Sequence, residues 1–212
     1  FETQSIPVLV NTGFTIIVVS EEEKTAKISA YTGSDTIVSI PSVINGYTIT
    51  AIGESAFSGN KTITNVTFPD TLKTIEKKAF FDCTLLQNFV LPEGLETIGS
   101  MAFMQCRSIT SLRIPDSVTS IDVESAFRTC PKLETVILGN GITKLNSSTF
   151  RSCGTLKTIT IPNSVTAIGN YVFYYCNALT DVYFLGTEEQ WEKVTIGTNN
   201  TIINATIHFH TT

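Results

Sequence analysis

The chain has 212 residues, 42% of them hydrophobic and 16% charged, with a net charge of −5 and a pI near 5.0. This is the composition of a soluble globular chain long enough for one domain. It contains no transmembrane run, so no membrane insertion is expected, and the lack of a basic start followed by an apolar stretch is uninformative. With no basic stripe to release counterions, nucleic acid is excluded as a general partner.

The first residue is Phe, with no initiating Met, so the chain reads as a trimmed or mature stretch whose export signal lies outside it. In chain order, Phe14 to Ser20 is strand-like, Glu21 to Lys24 is a charged turn and Lys27 to Tyr31 is a returning strand. Residues 1–35 are therefore expected to form an N-terminal β-hairpin cap. Ile37 to Pro41 again has a strand pattern, and the Asn45-Gly46 pair that follows is a hairpin turn signal.

From there one phrase is repeated along the chain. A Phe recurs at Phe57, Phe80, Phe103, Phe127, Phe150 and Phe173, at steps of 23, 23, 24, 23 and 23. A fixed period in this range predicts a solenoid. The single extra residue falls at Asp122, Val123 and Glu124, where a bulge or wider turn is expected. Within a coil, Leu133, Val136 and Leu138 are matched by Leu156, Ile159 and Ile161 and by Leu179, Val182 and Phe184, the spacing of a short strand with alternate side chains inward. This predicts strands at Thr64 to Phe68, Gln87 to Leu91, Thr110 to Ile114, Glu134 to Leu138, Lys157 to Ile161 and Thr180 to Phe184, stacked in one parallel sheet. Pro69, Pro92, Pro115 and Pro162 close these strands with turn chemistry, and a second apolar pair such as Val118 and Ile121 follows. One coil buries too few apolar side chains to offset the ordering of its own backbone, so stacking is obligatory.

After Phe184 the rhythm stops. Thr187-Glu188-Glu189-Gln190 is a capping box that opens a short helix, with Trp191 and Val194 as its apolar contacts. Gly197 to Asn200 reads as a turn and Thr206 to His210 as a last strand, so residues 185–212 are expected to cap the far end and cover a sheet edge that would otherwise invite aggregation.

The phrases IPDSVTSIDVESAFRTC and IPNSVTAIGNYVFYYC resemble the 23-residue bacterial repeats called BspA-like, or Treponema pallidum type, with the pattern IP-x-x-V-T-x-I-G-x-x-A-F-x-x-C. The resemblance covers about residues 36–184. It departs at Asn60 where Cys is expected, at Gly139 where Pro is expected, and at Thr149 and Val172 where Ala is expected. It implies an α/β repeat solenoid: a right-handed leucine-rich-repeat coil of about 23 residues per turn, mainly short parallel strands with helical turns, capped at both ends and folding as one cooperative domain.

Five cysteines follow the repeat period and form a column rather than a set of pairs, so buried free thiols are expected and neither disulfides nor a metal site. The only histidines, His208 and His210, lie in the tail as solvated polar positions, which leaves no place in the repeats for a triad or a Cys-His dyad. Glu134 and Asp181 should both point outward but lie two rungs apart, about 10 Å, too far for either glycosidase geometry. Lys157 in the intervening rung is the better partner for Glu134. Asp70, Glu93 and Asp116 form a turn-edge column that reads as turn chemistry rather than a calcium site.

Two surfaces remain as candidate sites. The outward strand position runs Thr67, Val90, Arg113, Ile137, Thr160, Tyr183, where exposed Val, Ile and Tyr beside Arg resemble a binding stripe. Glu134, Lys157 and Asp181 stand on the same face. All four arginines fall between Arg107 and Arg151, and Arg128 and Arg151 each follow the repeat Phe on adjacent coils. With Arg107 they make a cationic edge on an acidic protein, suited to a carboxylate, sulfate or phosphate. A repeat array presents a broad row of side chains rather than a deep pocket, so no catalysis and no cofactor is expected. The resemblance implies a monomeric recognition or adhesion module, extracellular or on a cell surface, whose partner is a host or bacterial surface protein or a glycan. The alternative is a structural spacer that presents other domains on a cell wall.

Overall fold

Each coil of the repeat has three sides, and backbone hydrogen bonds run from coil to coil along all of them. The structure, a computed structural model, describes residues 8–9, 13–122 and 125–210. On the first side lie the strands Ile37–Ser39, Asn65–Thr67, Ser111–Arg113, Thr135–Ile137, Thr158–Ile161 and Asp181–Phe184. Their register is parallel and sets Leu112, Val136, Ile159 and Val182 in one buried row. Because side chains alternate along a strand, the residues on either side of that row point outward.

The expected strand at Gln87 to Leu91 does not form. Phe89 stands where the other coils carry Val, Leu or Ile, and its ring packs on Phe103 with centroids 4.8 Å apart and edge-on against Phe68 at 5.8 Å. The larger side chain holds the backbone off the ladder, and the Asn88 side chain takes over: its Oδ1 accepts from the Thr110 and Ser111 N–H groups at 2.9 and 3.0 Å. The first side is therefore divided into a pair of strands and a five-stranded sheet.

The second side was foreshadowed only by an apolar pair in each coil. It is a second parallel ladder through Tyr47–Ile52, Thr74–Ile75, Thr97–Ile98 and Ser120–Ile121, resumed at Lys144–Leu145, Ala167–Ile168 and Thr195–Ile196. Ile75, Ile98 and Ile121 are aligned in it, one period of 23 apart. The ladder is interrupted at the extra residue; of the expected bulge, Val123 and Glu124 lie outside the described residues.

Helical turns were expected on the third side, and the chain does otherwise. Ser55, Lys78, Met101, Ser125, Ser148 and Tyr171, each two before the buried Phe, have φ between 55° and 63°. Gly59, Asp82, Gln105, Thr129, Ser152 and Tyr175, each two after it, have φ between 58° and 74°. Placing a non-Gly residue in the left-handed region costs about 1–2 kcal/mol, and what it brings is visible in the donors. Lys78, Phe80 and Asp82 send their N–H groups to Ser100, Ala102 and Met104 of the next coil, at 2.8–2.9 Å. Ala79, Phe81 and Cys83 send theirs back three residues within the turn. A helix would spend every donor internally; this alternation keeps half for the neighbouring coil.

The core is a column of stacked rings. Phe57, Phe80, Phe103, Phe127, Phe150 and Phe173 lie with centroids 4.7 to 5.9 Å apart and planes within 14° of parallel. Beside it run Cys83, Cys106, Cys130, Cys153 and Cys176, all free and buried, each Sγ donating to the carbonyl of the Phe in the coil before at 3.0 to 3.5 Å. Burial pushes the Cys83 thiol up to about 12 and raises Cys106, Cys153 and Cys176 as well. In the first coil Asn60 replaces the cysteine, and its Oδ1 accepts from the N–H groups of Thr62 and Ile63. The other departures from the repeat are accommodated. Thr149 is buried with its hydroxyl donating to Asn146 O at 2.6 Å, and Val172 is fully buried. At Gly139 a Cβ would lie 2.3 Å from the Pro115 carbonyl oxygen.

At the N-terminal end, Phe14–Ser20 and Thr25–Tyr31 form the expected hairpin, and its second strand joins the second ladder parallel to Tyr47–Ile52. Tyr31 stacks on Phe57 at 5.3 Å, so the hairpin extends the ring column. Asn45 and Gly46, both with positive φ, make the tight turn between Val43–Ile44 and Tyr47–Ile52.

At the other end the capping box is present: Thr187 opens Glu188–Trp191, and Trp191 packs on Phe184 at 5.1 Å. Thr206–Phe209 joins the first-side sheet beside Asp181–Phe184. Between them, in an unexpected short 3-10 turn and the residue before it, two side chains stand in for a missing coil. Asn200 Oδ1 accepts the Phe173 N–H at 3.0 Å, the bond that Val172 O makes to Phe150. Thr201 Oγ1 donates to Phe173 O, the place taken elsewhere by a cysteine thiol.

Two outcomes test this description. Asn200→Ala leaves the buried Phe173 N–H without a partner and should cost about 1–3 kcal/mol in urea unfolding; an unchanged midpoint would contradict the account. All five cysteines should resist a thiol reagent in native buffer and react together in denaturant, and fewer than five reacting would reveal a disulfide.

Candidate functional site

Sheet register decides which of the outward residues stand together. Arg113 is aligned with Ile137, Ile137 with Thr160, and Thr160 with Tyr183, so four of the six residues expected in the stripe share one row, while Thr67 lies in the separate pair of strands. Ile137 is 48% exposed and Tyr183 43%. Val90 does not join the row: it is 82% exposed but sits in the coil that has left the ladder. Arg113 is engaged with Glu93, Nη1 to Oε1 at 2.6 Å.

The row has a further member that the sequence reading placed among solvated tail positions. His208 is aligned with Tyr183, and its ring lies on the Tyr183 ring at 4.7 Å with planes 15° apart. Its Nε2 is 2.7 Å from Asp181 Oδ1, and since an ionised carboxylate can only accept, the imidazole donates. The Asp181 carboxyl also accepts from the Thr180 hydroxyl at 2.8 Å. The His208 hydrogen bond, then that of Thr180, holds Asp181 below the usual carboxylate range. The signal that could have found this pairing is the period-two alternation of Thr206 to His210, which puts His208 outward once the tail is counted as one more rung.

The remaining polar residues of this face are paired. Lys157 donates to Glu134 Oε2 at 2.8 Å, the partnership that the column spacing implies. Asp181 is aligned with Thr158 and Thr135, not with Glu134, so the two carboxylates do not share a column. At the turn edge Asp116 Oδ1 accepts the Asn140 N–H at 2.8 Å, and Glu93 is held by Arg113. Among the described residues no group of three or more His, Cys, Asp or Glu side chains is placed to hold a metal ion, and no helix is long and apolar enough to cross a membrane.

The arginines expected to form a cationic edge lie on the third side. Arg128 and Arg151 are stacked one coil apart, because Gln105 N–H donates to Arg128 O and Thr129 N–H to Arg151 O. The Arg151 guanidinium lies over the rings of Tyr171 and Tyr174, 5.6 and 5.1 Å from their centroids. Arg107 is exposed but is not in that file: it stands four residues after Phe103, where Met104 holds the position equivalent to Arg128 and Arg151.

The family description "BspA type leucine rich repeat region (6 copies)" matches residues 50–180 and 106–208. No curated protein is similar enough to count as a relative. Among solved structures, the Treponema pallidum leucine-rich repeat protein is 26% identical with a TM-score of 0.79, over 89% of this chain and 85% of that one. A leucine-rich cell surface protein from Faecalibacterium prausnitzii A2-165 is 33% identical with a TM-score of 0.80, over 96% of this chain but 54% of the other, so the present chain spans about half the length of that structure. A leucine-rich repeat protein from Bacteroides ovatus, 22% identical with a TM-score of 0.56 over 96% of this chain and 71% of its own, shares the fold. With residues 50–180 and 106–208 matched, well over half of its length, the chain belongs to the BspA-type leucine-rich repeat family.

Proposed function

We propose that this chain is a non-catalytic recognition module of a bacterial surface or extracellular protein, and that it binds a partner protein through its strand side. The observation that carries the reading is the row Arg113, Ile137, Thr160, Tyr183 and His208, which the parallel register aligns across a five-stranded sheet. An exposed Tyr is among the types in which binding energy concentrates at protein interfaces, and Ile137 adds apolar area beside it in the row. Rigid neighbouring strands present them at little entropic cost. The ion pairs Glu93–Arg113 and Glu134–Lys157 lie around the apolar members as a polar rim. The surface location is supported by the cell surface protein from F. prausnitzii among its structural neighbours. A scaffold that displays other domains is the competing role.

Binding is tested on an array of extracellular matrix and bacterial surface proteins, with hits measured by surface plasmon resonance. Ile137→Ala and Tyr183→Ala should each weaken a hit by about 1 kcal/mol or more while shifting stability by about 0.5 kcal/mol. Equal binding by the double variant would remove the strand side as the site, and an array without hits would favour the scaffold role.

The Asp181–His208 contact supplies a second outcome. A carboxyl whose folded pKa is lowered adds stability above its unfolded value, and that contribution is lost as pH falls through the folded value. In an NMR titration of the Asp181 carboxyl, His208→Gln should move its midpoint upward toward the ordinary carboxylate range. No movement would mean that the contact at 2.7 Å does not persist in solution.

A further inference from the structure

The third side carries a surface of different composition from the strand side. The position after each buried Phe reads Ser58, Phe81, Met104, Arg128, Arg151 and Tyr174, and the hydrogen bonds from Asp82, Gln105, Thr129 and Ser152 N–H to the carbonyls of Met104, Arg128, Arg151 and Tyr174 hold the last four in file. Tyr171 and Tyr175 flank the end of the file, 37% and 55% exposed. Tyr174 lies 5.4 Å from the ring of Tyr171, edge-on at 84°, and 4.2 Å from that of Tyr175, tilted by 52°, so the three make one aromatic cluster with differently turned faces.

The charges on this edge are uncommitted. Lys24, Lys27, Lys61, Lys73, Lys77 and Lys157 each pair with a carboxylate, and so does Arg113. Among the described residues Arg107, Arg128 and Arg151 have no such partner, and neither do Lys78, Lys132, Lys144 and Lys193, on a protein whose net charge is −5. The Nε atoms of Arg128 and Arg151 are buried without a hydrogen-bond partner. Neither guanidinium has a carboxylate partner, which leaves its outer N–H groups for a planar, bidentate acceptor such as a carboxylate or sulfate.

Spacing selects the kind of chain that would carry those acceptors. Beneath this edge the buried rings of successive coils lie 4.7 to 5.9 Å apart, 5.7 and 5.9 Å for Phe127, Phe150 and Phe173. An extended peptide repeats its side chains on one face at about 6.6–6.8 Å and drifts out of step. A linked pyranose ring is about as long as one coil is thick, and its flat C–H face packs on an exposed tyrosine ring, which is apolar on its face and polar at its tip. We propose that the third side is a second binding surface, taking an acidic polysaccharide with a sugar ring on Tyr171, Tyr174 and Tyr175 and successive acidic groups on Arg151 and Arg128. Arg107 extends the positive charge beyond them.

The test uses immobilised heparin as the sulfated probe and polygalacturonate as the carboxylated one, with dextran as the neutral control and poly-glutamate as the acidic-peptide competitor. Wild-type protein should bind at least one acidic polysaccharide, ignore dextran and lose affinity as salt rises. Which probe binds better identifies sulfate or carboxylate as the acceptor. Arg128→Gln and Arg151→Gln should each weaken binding about fivefold or more. Tyr175→Ser should weaken it comparably, and Arg151→Lys, which keeps the charge, should fail to restore wild-type affinity. All four variants keep the buried Phe column, so unchanged melting curves are expected. Failure to bind either acidic polysaccharide would overturn the proposal, as would equally tight competition by poly-glutamate, indifference to Tyr175→Ser, or an equal loss on replacing the distant Lys144. The strand-side variant Ile137→Ala/Tyr183→Ala should leave polysaccharide binding unchanged, which separates the fate of this surface from that of the other.

Discussion

A coil of this kind must bury one face of its side chains and still leave half of its backbone donors for the coil beside it. On two sides the requirement is met by short parallel strands, whose N–H and C=O groups point along the stack. The third side has to turn around a buried Phe, and there the demand is met by left-handed residues two before and two after the ring. They turn alternate amides toward the next coil, so Phe80 N–H reaches Ala102 O while Ala79 N–H stays within its own turn. The ring column, the thiol column and the even coil spacing all depend on that alternation.

The ends of the array show the constraint from the opposite direction. A last coil offers donors and acceptors with no neighbour to take them, and an orphaned buried amide is costly. Asn200 and Thr201 meet the Phe173 N–H and C=O with side-chain groups, replacing one coil's backbone carbonyl and one coil's thiol. At the start, the hairpin solves the problem with backbone, pairing Thr25–Tyr31 to Tyr47–Ile52 and extending the ring stack through Tyr31. The termination at each end therefore follows the chemistry of the coil it covers.

Two surfaces result from the same geometry and differ in how their charges are used. On the strand side, Arg113 and Lys157 are bound to Glu93 and Glu134, and Asp181 to His208, leaving a row of modest apolar and aromatic groups as the accessible feature. On the turn side, the guanidinium of Arg151 lies against tyrosine rings rather than a carboxylate. A charge that already has a partner contributes little to binding a third group, whereas one held by cation–π contact keeps its outer donors.

Periodicity alone determined the architecture of this protein: the recurrence of Phe, the strand spacing of Leu133, Val136 and Leu138, and the hairpin and capping signals at Asn45-Gly46 and Thr187 to Gln190 are local patterns whose physical meaning does not need a neighbour. The outward row and the adjacency of Arg128 and Arg151 were legible for the same reason, since a fixed period places equivalent residues in one file. Three things were decided only by tertiary contact. The turns are not helical, because a helix would consume the donors that the adjacent coil requires. Gln87 to Leu91 leaves the ladder, because Phe89 is too large for a row of Val, Leu and Ile packed between neighbours. His208 meets Tyr183 and Asp181, because the tail returns as one more strand across 27 residues from Asp181, a distance over which sequence carries no register.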